Sequence, residues 1–273
     1  MFEMRLPEII DDGRLDWALT LLHVSRQTTA TPNEIRLNWS KVHGISPAGM
    51  AILCCILDTL VEQHHHVKCL FVPKEFRNIP VVQNLTKLNQ SNSLPSPDTN
   101  DFESADMMLK GRTSIDILFR ERFLEKFAAG LSEDVAYDCL LILNELMQNT
   151  VDHSTAERYY LYAGRWNMEF HVGVLDMGIT IPAKMEQRYH CADDLEYLKL
   201  ALKEGTTTRR RRPGGVGLSY FFNFIKRHGG KLTVMSRGAQ VRRYFSTRKS
   251  QKTMLKYPLQ GTWCFARFPL EGR

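Results

Sequence analysis

The sequence has no apolar run approaching the roughly 20 residues that a membrane-spanning helix needs. Its longest apolar patch, at residues 50–57, is short and is followed by Asp58. The N-terminus lacks the basic start and long apolar core of a secretory signal. The six cysteines form no C-x-x-C pair, which argues against a zinc site or a disulfide framework. These absences predict a cytoplasmic protein with reduced thiols and no membrane contact.

The 273 residues are 43% hydrophobic, so the chain can bury a substantial core in one large domain or two ordinary ones. The clearest interruption lies at residues 91–100, which are polar, contain proline and follow no helix or strand period. We therefore predict a smaller domain at residues 1–100, ending in this linker, and a larger domain at residues 107–273.

The first predicted domain alternates helices with strands. Ser46 and Pro47 are typical of a helix N-cap and a first helical position, and they precede a strongly apolar segment. The predicted elements are a helix at 15–24, a strand at 35–39, a helix at 48–62, a strand at 67–72 and a helix at 81–88.

The second predicted domain also mixes helices and strands. Ser132 is suited to cap a helix, and Glu133 and Asp134 in its first turn favour the helix dipole. A basic insertion is predicted at residues 237–258. The other predicted elements are a helix at 115–127, strands at 158–163 and 169–175, helices at 183–204 and 218–227, and strands at 231–236 and 262–268.

The helix that follows Ser132 carries three polar residues in line. Glu145, Asn149 and His153 recur at four-residue spacing, which places them along one side of a helix, beside an apolar stripe. A carboxylate, an amide and an imidazole at the edge of a buried face could line a cleft. Taken alone, the pattern is more often that of a solvated helix surface.

Three further segments carry chemistry. Asp176 ends a predicted strand, where a carboxylate can accept a hydrogen bond from an exocyclic amine, and Gly178 would let a flat base approach the backbone. Residues 213–217 are rich in glycine and lead into a helix, an arrangement that can present N–H groups to phosphate. Residues 205–209 form a polar segment able to close over a ligand.

The net charge of +6 has local origins. Residues 209–212 are four arginines, and further cations cluster at residues 242–256. Both clusters could meet the phosphates of a nucleotide or a nucleic acid, or could be solvated loops. Tyr244 and Phe245 beside two arginines add the aromatic interleaving that nucleic-acid surfaces use.

The order of these motifs resembles that of the Bergerat-fold ATP-binding domain. The motifs are Glu-x-x-x-Asn on a helix, a strand ending in Asp-x-Gly, a lid, a Gly-x-Gly-Leu helix start and a Gly-Gly turn before a strand. That superfamily includes the gyrase B subunit, histidine kinases, mismatch-repair ATPases and anti-sigma-factor serine kinases. The resemblance covers residues 113–269. It implies an α/β protein with a two-layer sandwich, in which helices cover one face of a mixed sheet, and it implies ATP and Mg²⁺ as ligands.

The resemblance also implies a role for individual residues. Glu145 would be the base that activates a water or a substrate hydroxyl, and Asn149 would be the Mg²⁺ ligand. Asp176 would be the acid that recognises adenine, with Gly178 beside it. The phosphate-binding segment would consist of Gly214, Gly215, Val216, Gly217 and Leu218. His153 falls where anti-sigma kinases often have histidine, and Thr206 lies in the segment that would close over the nucleotide. Thr180 departs from the usual second glycine of the Asp-x-Gly-x-Gly motif, and Pro213 stands where a glycine is common.

Residues 35–88 resemble a STAS domain, the small α/β module of anti-sigma-factor antagonists. In that family a phosphorylatable serine or threonine follows an aspartate at the start of the first long helix. Ser46 lies near that place, but Gly44 and Ile45 precede it, and helix capping suffices to explain it.

These resemblances imply a Mg-dependent ATPase or a serine kinase of the anti-sigma type that works by partner switching. The alternative is a non-catalytic ATP sensor within a larger assembly. A histidine kinase is the third hypothesis, but that branch usually has Asn at the position of Glu145, and no phosphoacceptor helix pair precedes the ATP domain. The expected partners are ATP and a regulatory protein, with nucleic acid and a second copy of the chain left open.

Overall fold

The computed structural model describes residues 1–27, 34–63, 65–79, 82–83, 108–112, 123, 125, 131–203 and 217–270. Helices combine with parallel and antiparallel sheets, so the protein is a mixed α/β protein. The elements of the N-terminal region (residues 1–83) are β1 Phe2–Arg5, β2 Ile9–Ile10, α1 Asp16–Gln27, β3 Glu34–Asn38, β4 Gly44–Ile45, α2 Pro47–Glu62, β5 His66–Leu70 and a 3₁₀ turn at Lys74–Phe76.

In the N-terminal region, β1, β3 and β5 form a parallel sheet in that order, and β2 pairs with β4. The predicted strands and helices before residue 73 are confirmed to within a few residues. The Ser46 side chain accepts a hydrogen bond from the Gly49 backbone N–H at 3.1 Å and so caps α2, as predicted. Ser46 is fully buried, so its hydroxyl is committed to this cap.

The C-terminal region (residues 108–270) carries the larger sheet. Its elements are β6 Met108–Arg112, α3 Glu133–His153, β7 Arg158–Trp166, β8 Glu169–Asp176, α4 Ile181–Met185, α5 Asp194–Ala201, α6 Gly217–Arg227, β9 Lys231–Tyr244 and β10 Lys249–Pro269. The five strands follow the order β6-β7-β8-β10-β9. Every described pairing among them is antiparallel, whereas a mixed sheet was predicted.

Both faces of this sheet are covered. On one face Val172 and Val174 join a core with α3 and α6, and on the other Leu175 and Trp263 join a core with α2. Residues 170–176 of β8 are therefore buried without interruption. Helix α2 is buried on nearly every side because it lies between the two sheets. The prediction that helices cover one face only is thus wrong, since the N-terminal region covers the second.

An ion pair joins the two regions at this second face. The Lys231 Nζ, at the start of β9, lies 2.5 Å from the Asp12 carboxylate, and both side chains are almost fully buried. Burial alone would raise the pKa of Asp12, but Lys231 and Arg267 hold it below its ordinary value. Arg242 also donates a hydrogen bond to the Asp12 carbonyl at 3.3 Å. The N-terminal region is therefore fixed to the sheet by charge as well as by apolar packing.

The single helix predicted at residues 183–204 is wrong. Two helices occupy this segment, because each has its own N-cap. Thr180 accepts a hydrogen bond from the Ala183 N–H and starts α4, and Asp193 accepts one from the Glu196 N–H and starts α5. The residues between them form a turn, so the second cap restarts the helix.

The basic insertion at residues 237–258 is a β-structure and not a solvated loop. Residues 239–244 of β9 pair with residues 249–254 of β10. Strand β9 also reverses at Arg237, which has a φ of +51°. The Arg242 Nε lies 3.3 Å from the Thr233 hydroxyl, although an extended strand would hold residues nine apart at roughly 30 Å. The insertion therefore adds two further strand segments to the sheet.

Some predictions fall on residues outside the described ranges. These include the linker at 91–100, nearly all of the helices predicted at 81–88 and 115–127, and the arginines at 209–212. All six cysteines are free thiols, and four of them are buried. Within the described part of the chain, no helix is long and apolar enough to cross a membrane.

Candidate functional site

Helix α3 holds the polar line that the sequence predicts. The Ser132 side chain accepts from the Val135 N–H at its start. Leu143, Leu146 and Met147 are buried against the sheet. Glu145 is exposed and Asn149 is half-buried, so both border the buried stripe as predicted. The His153 side chain lies outside the described part of the structure.

Asp176 ends β8 on the same sheet face as α3. Only 4% of its surface is exposed. Its Oδ1 accepts hydrogen bonds from the Ser154 hydroxyl at 2.8 Å and from the Gly178 N–H at 2.9 Å. Burial raises the pKa of Asp176 from 3.8 to about 6, and the hydrogen bonds from Gly178, Ser154 and the Thr262 N–H oppose the shift. The carboxylate is therefore held at the end of α3 and remains largely ionised near neutral pH.

The contact between Ser154 and Asp176 sets the geometry along α3. Ser154 is the C-cap of this helix. Asn149 precedes it by five residues and Glu145 by nine. At 1.5 Å per residue these residues lie roughly 7 and 13 Å along the axis. Asn149 and Glu145 thus lie at increasing distances along the axis from the end of α3 that Asp176 contacts.

Gly178 serves the packing of this corner. A Cβ there would lie 2.0 Å from the Ser154 Oγ and 2.5 Å from the Ala156 nitrogen, which no side chain allows. Gly261 of β10 has a φ of +85° and packs against the backbone of Asp176. A Cβ on Gly261 would lie 2.1 Å from the Asp176 carbonyl oxygen. Contact between backbone segments therefore explains Gly178, and the predicted approach of a flat base is not needed to account for it.

Three polar residues around Asp176 were not predicted from the sequence to be part of the site. Ser154 binds the carboxylate, and Thr262 lies opposite Asp176 in the β8–β10 register. The Ser236 hydroxyl donates to the Gly261 carbonyl at 2.7 Å and accepts from the Ile181 N–H at 2.9 Å. The only local signal was a serine or threonine at each element boundary, which usually indicates a cap. Here they form the polar floor beside Asp176.

The predicted phosphate-binding segment is described only from its helix onward. Helix α6 begins at Gly217, one residue before the predicted start, and packs through Phe221 in the core shared with α3. Leu218 is half-buried against this core. The other predicted contacts lie outside the described residues, namely Thr206, Gly214, Gly215 and Val216.

A separate polar pocket of about 290 Å³ lies behind this floor. Met177 and Gly178 line it on one side, and the end of α2 lines it on the other. The Arg158 guanidinium in its wall pairs with Glu62 at 2.5 Å. The pocket includes neither Glu145 nor Asn149 in its lining, so it is distinct from the line of residues along α3.

No group of three potential metal-ligating side chains occurs among the residues that the structure describes. Asn149 offers a single amide oxygen, a hard donor of the kind that Mg²⁺ accepts when phosphates supply other ligands.

The buried carboxylate predicts a pH dependence of stability. Because the folded pKa of Asp176 is above its ordinary value, the group stabilises the fold fully below pH 4, and this contribution is lost as the pH rises through 6. A pKa that rises from 3.8 to about 6 corresponds to roughly 3 kcal/mol. Denaturant unfolding of wild type and Asp176→Asn across this range should show the variant gaining about this much relative to wild type. If the unfolding free energies of the two proteins changed with pH in parallel, the raised pKa of Asp176 would be contradicted.

Comparison of the sequence with protein-family models and with curated proteins gave no match.

Proposed function

We propose that this protein binds Mg-ATP along α3, between the end of β8 and the start of α6, in a site of the Bergerat type. The observation that supports this most is the buried Asp176 carboxylate, which Ser154 binds at the end of the helix that carries Asn149 and Glu145. An ionised acceptor at a closed end of the site can receive the exocyclic amine of adenine. The STAS-like assignment of the N-terminal region belongs to the same proposal.

Each residue of the line has a task in this proposal. Asp176 accepts from the adenine amine, and Ser154 and Thr262 keep its carboxylate oriented. Asn149 contributes an oxygen to Mg²⁺, which when bound neutralises phosphate charge. The backbone N–H groups at the start of α6 would hold the phosphates, because the helix dipole there favours an anion. Glu145 takes the role of the base in this proposal and would accept a proton from a water or a substrate hydroxyl.

The proposed activity is ATP hydrolysis or transfer of a phosphoryl group to a serine or threonine of a regulatory partner. Ser46 is buried in its cap, so the acceptor is a residue of another protein or of a different segment. One observation favours the alternative, an ATP sensor without turnover. Glu145 is exposed, whereas burial and close neighbours commonly tune a general base.

Turnover with labelled ATP and Mg²⁺ separates these two functions. We expect Glu145→Gln to lower the formation of ADP or phosphoprotein by about 10²–10⁴-fold, because the proton acceptor is lost, while thermal stabilisation by Mg-ATP persists. Glu133→Gln is the matched control, since it removes an exposed carboxylate from the first turn of the same helix.

The assay includes candidate partner proteins, because a kinase of this kind needs its acceptor. ATP binding without turnover in any mixture would favour the sensor. A wild-type protein that Mg-ATP does not stabilise at all would refute the nucleotide site itself.

A further inference from the structure

The positive charge of this protein is concentrated in residues 237–258. That segment contains seven Lys and Arg residues and no Asp or Glu. The rest of the chain has 29 Lys and Arg against 30 Asp and Glu, so it carries almost no net charge. The sequence therefore places essentially the whole charge of +6 on one β-structure.

Two of these seven cations are used within the protein. Arg237 pairs with Asp194 at 2.5 Å and with Glu186 at 2.6 Å. Arg242 donates to Thr233 and to the Asp12 carbonyl. In contrast, Arg248, Lys249, Lys252 and Lys256 are exposed, and none pairs with a carboxylate among the described residues. We call these four residues the basic edge.

The basic edge lies on an open strand. Within the described ranges, residues 249–254 pair only with β9, so one side of the strand presents unpaired backbone N–H and C=O groups. All six residues are exposed, including Met254. Residues 249–254 span about 17 Å in an extended strand. An open strand of this length is a template on which another extended chain can pair.

The positive charge of the basic edge determines which kind of polypeptide segment can pair with residues 249–254. A second copy of the protein would bring its own lysines against the basic edge, so like charges oppose self-association through this strand. A strand rich in glutamate and aspartate would gain both the backbone hydrogen bonds and the charge complementarity.

The aromatic residues of the segment argue against single-stranded nucleic acid, which requires free rings for base stacking. Phe245 packs edge-on against Phe222, with ring centres 5.0 Å apart, and Tyr257 stacks on His23 at 4.1 Å. Lys231 lies over the Tyr244 ring. The interleaving that suggested nucleic acid from sequence is thus internal packing.

We propose that the basic edge is a docking surface for an acidic, extended segment of a partner protein, which adds a strand to the sheet beside residues 249–254. This proposal does not depend on the nucleotide site. In this proposal the open strand and the concentrated charge together recognise an acidic strand.

The test uses the full chain and a labelled twelve-residue peptide in which glutamate alternates with threonine, followed by fluorescence anisotropy. The peptide should bind, and binding should weaken as salt is added. Backbone amides of residues 249–254 should become protected from hydrogen exchange. A matched peptide with proline at every second position should lose binding, because it lacks the N–H groups for the ladder.

Charge reversal locates the surface. The triple variant Lys249→Glu, Lys252→Glu, Lys256→Glu should bind the peptide roughly tenfold or more weakly. The matched control makes the same change in net charge on exposed cations of the N-terminal region, through Arg5→Glu, Lys41→Glu and Lys74→Glu, and should bind nearly as wild type does. A Lys→Gln triple at the edge serves as the second variant if the reversal unfolds the hairpin.

Several results would overturn the proposal. One is that the peptide does not bind. Another is that the charge reversal at the basic edge and the control reversal in the N-terminal region weaken binding equally. A third is that the peptide binds without protecting the amides of residues 249–254 from hydrogen exchange. Tighter binding of single- or double-stranded DNA of equal net charge through the same lysines would identify the edge as a nucleic-acid surface instead.

Discussion

Lys231→Met is expected to lower the free energy of unfolding by about 3–5 kcal/mol, because it leaves the Asp12 carboxylate buried without its cation. Methionine keeps most of the lysine volume, so the change tests charge more than packing. Among the described residues, the Asp12 Oδ1 has no hydrogen-bond partner, so no second hydrogen bond there would compensate for the lost cation. Urea unfolding monitored by tryptophan fluorescence would measure the effect.

Two variants separate the buried charge from other causes. Lys68→Met removes a pair with Glu34 in which the lysine is 48% exposed, and it should destabilise the protein far less, because solvent screens this pair. Combining Asp12→Leu with Lys231→Met should recover much of the loss, since no charge then remains buried. If Lys231→Met costs no more than Lys68→Met, the two regions are not joined by this pair.

Asp176→Ala is expected to weaken the binding of adenine nucleotides by roughly tenfold to one-hundredfold, because the proposed charged acceptor for the adenine amine is lost. The measurement is the increase in melting temperature on adding Mg-ATP and not the melting temperature itself. The distinction matters because removing a buried carboxylate also changes the stability of the free protein.

Asp152→Ala is the matched control for this loss. Its carboxylate is exposed in the last turn of α3, where it accepts a hydrogen bond from the Gln148 amide, so its loss should leave the response to Mg-ATP unchanged. A nucleotide-dependent stabilisation of Asp176→Ala equal to that of wild type would show that adenine is not read by this residue. Mg-GTP provides a second comparison, because a site that reads the adenine amine should prefer ATP in wild type only.

The parts of the fold that could be predicted from sequence follow from local chemistry. Ser46 and Ser132 start helices because a hydroxyl can bind a nearby backbone N–H whatever the rest of the chain does. The end of β8 at Asp176 was predictable because the apolar run stops there. The line of Glu145 and Asn149 follows from helix periodicity alone.

What could not be predicted depends on pairings between distant segments. Thr262 approaches Asp176 through the register of β8 and β10, and Ser236 reaches Gly261 through the pairing of β9 and β10. Strand formation in the basic insertion likewise depends on its partner strand, since its own sequence has little apolar alternation. That α2 is apolar on every side was visible, but which two sheets it lies between was not.

The ion pair between Asp12 and Lys231 joins residues that are 219 positions apart in the sequence. At typical rates of about 5–20 residues per second, a ribosome adds Lys231 roughly ten to forty seconds after Asp12. Helix α2 is thus translated well before the strands of the larger sheet that will cover it. Completion of the N-terminal region is therefore a late event of synthesis, even though its residues are translated first.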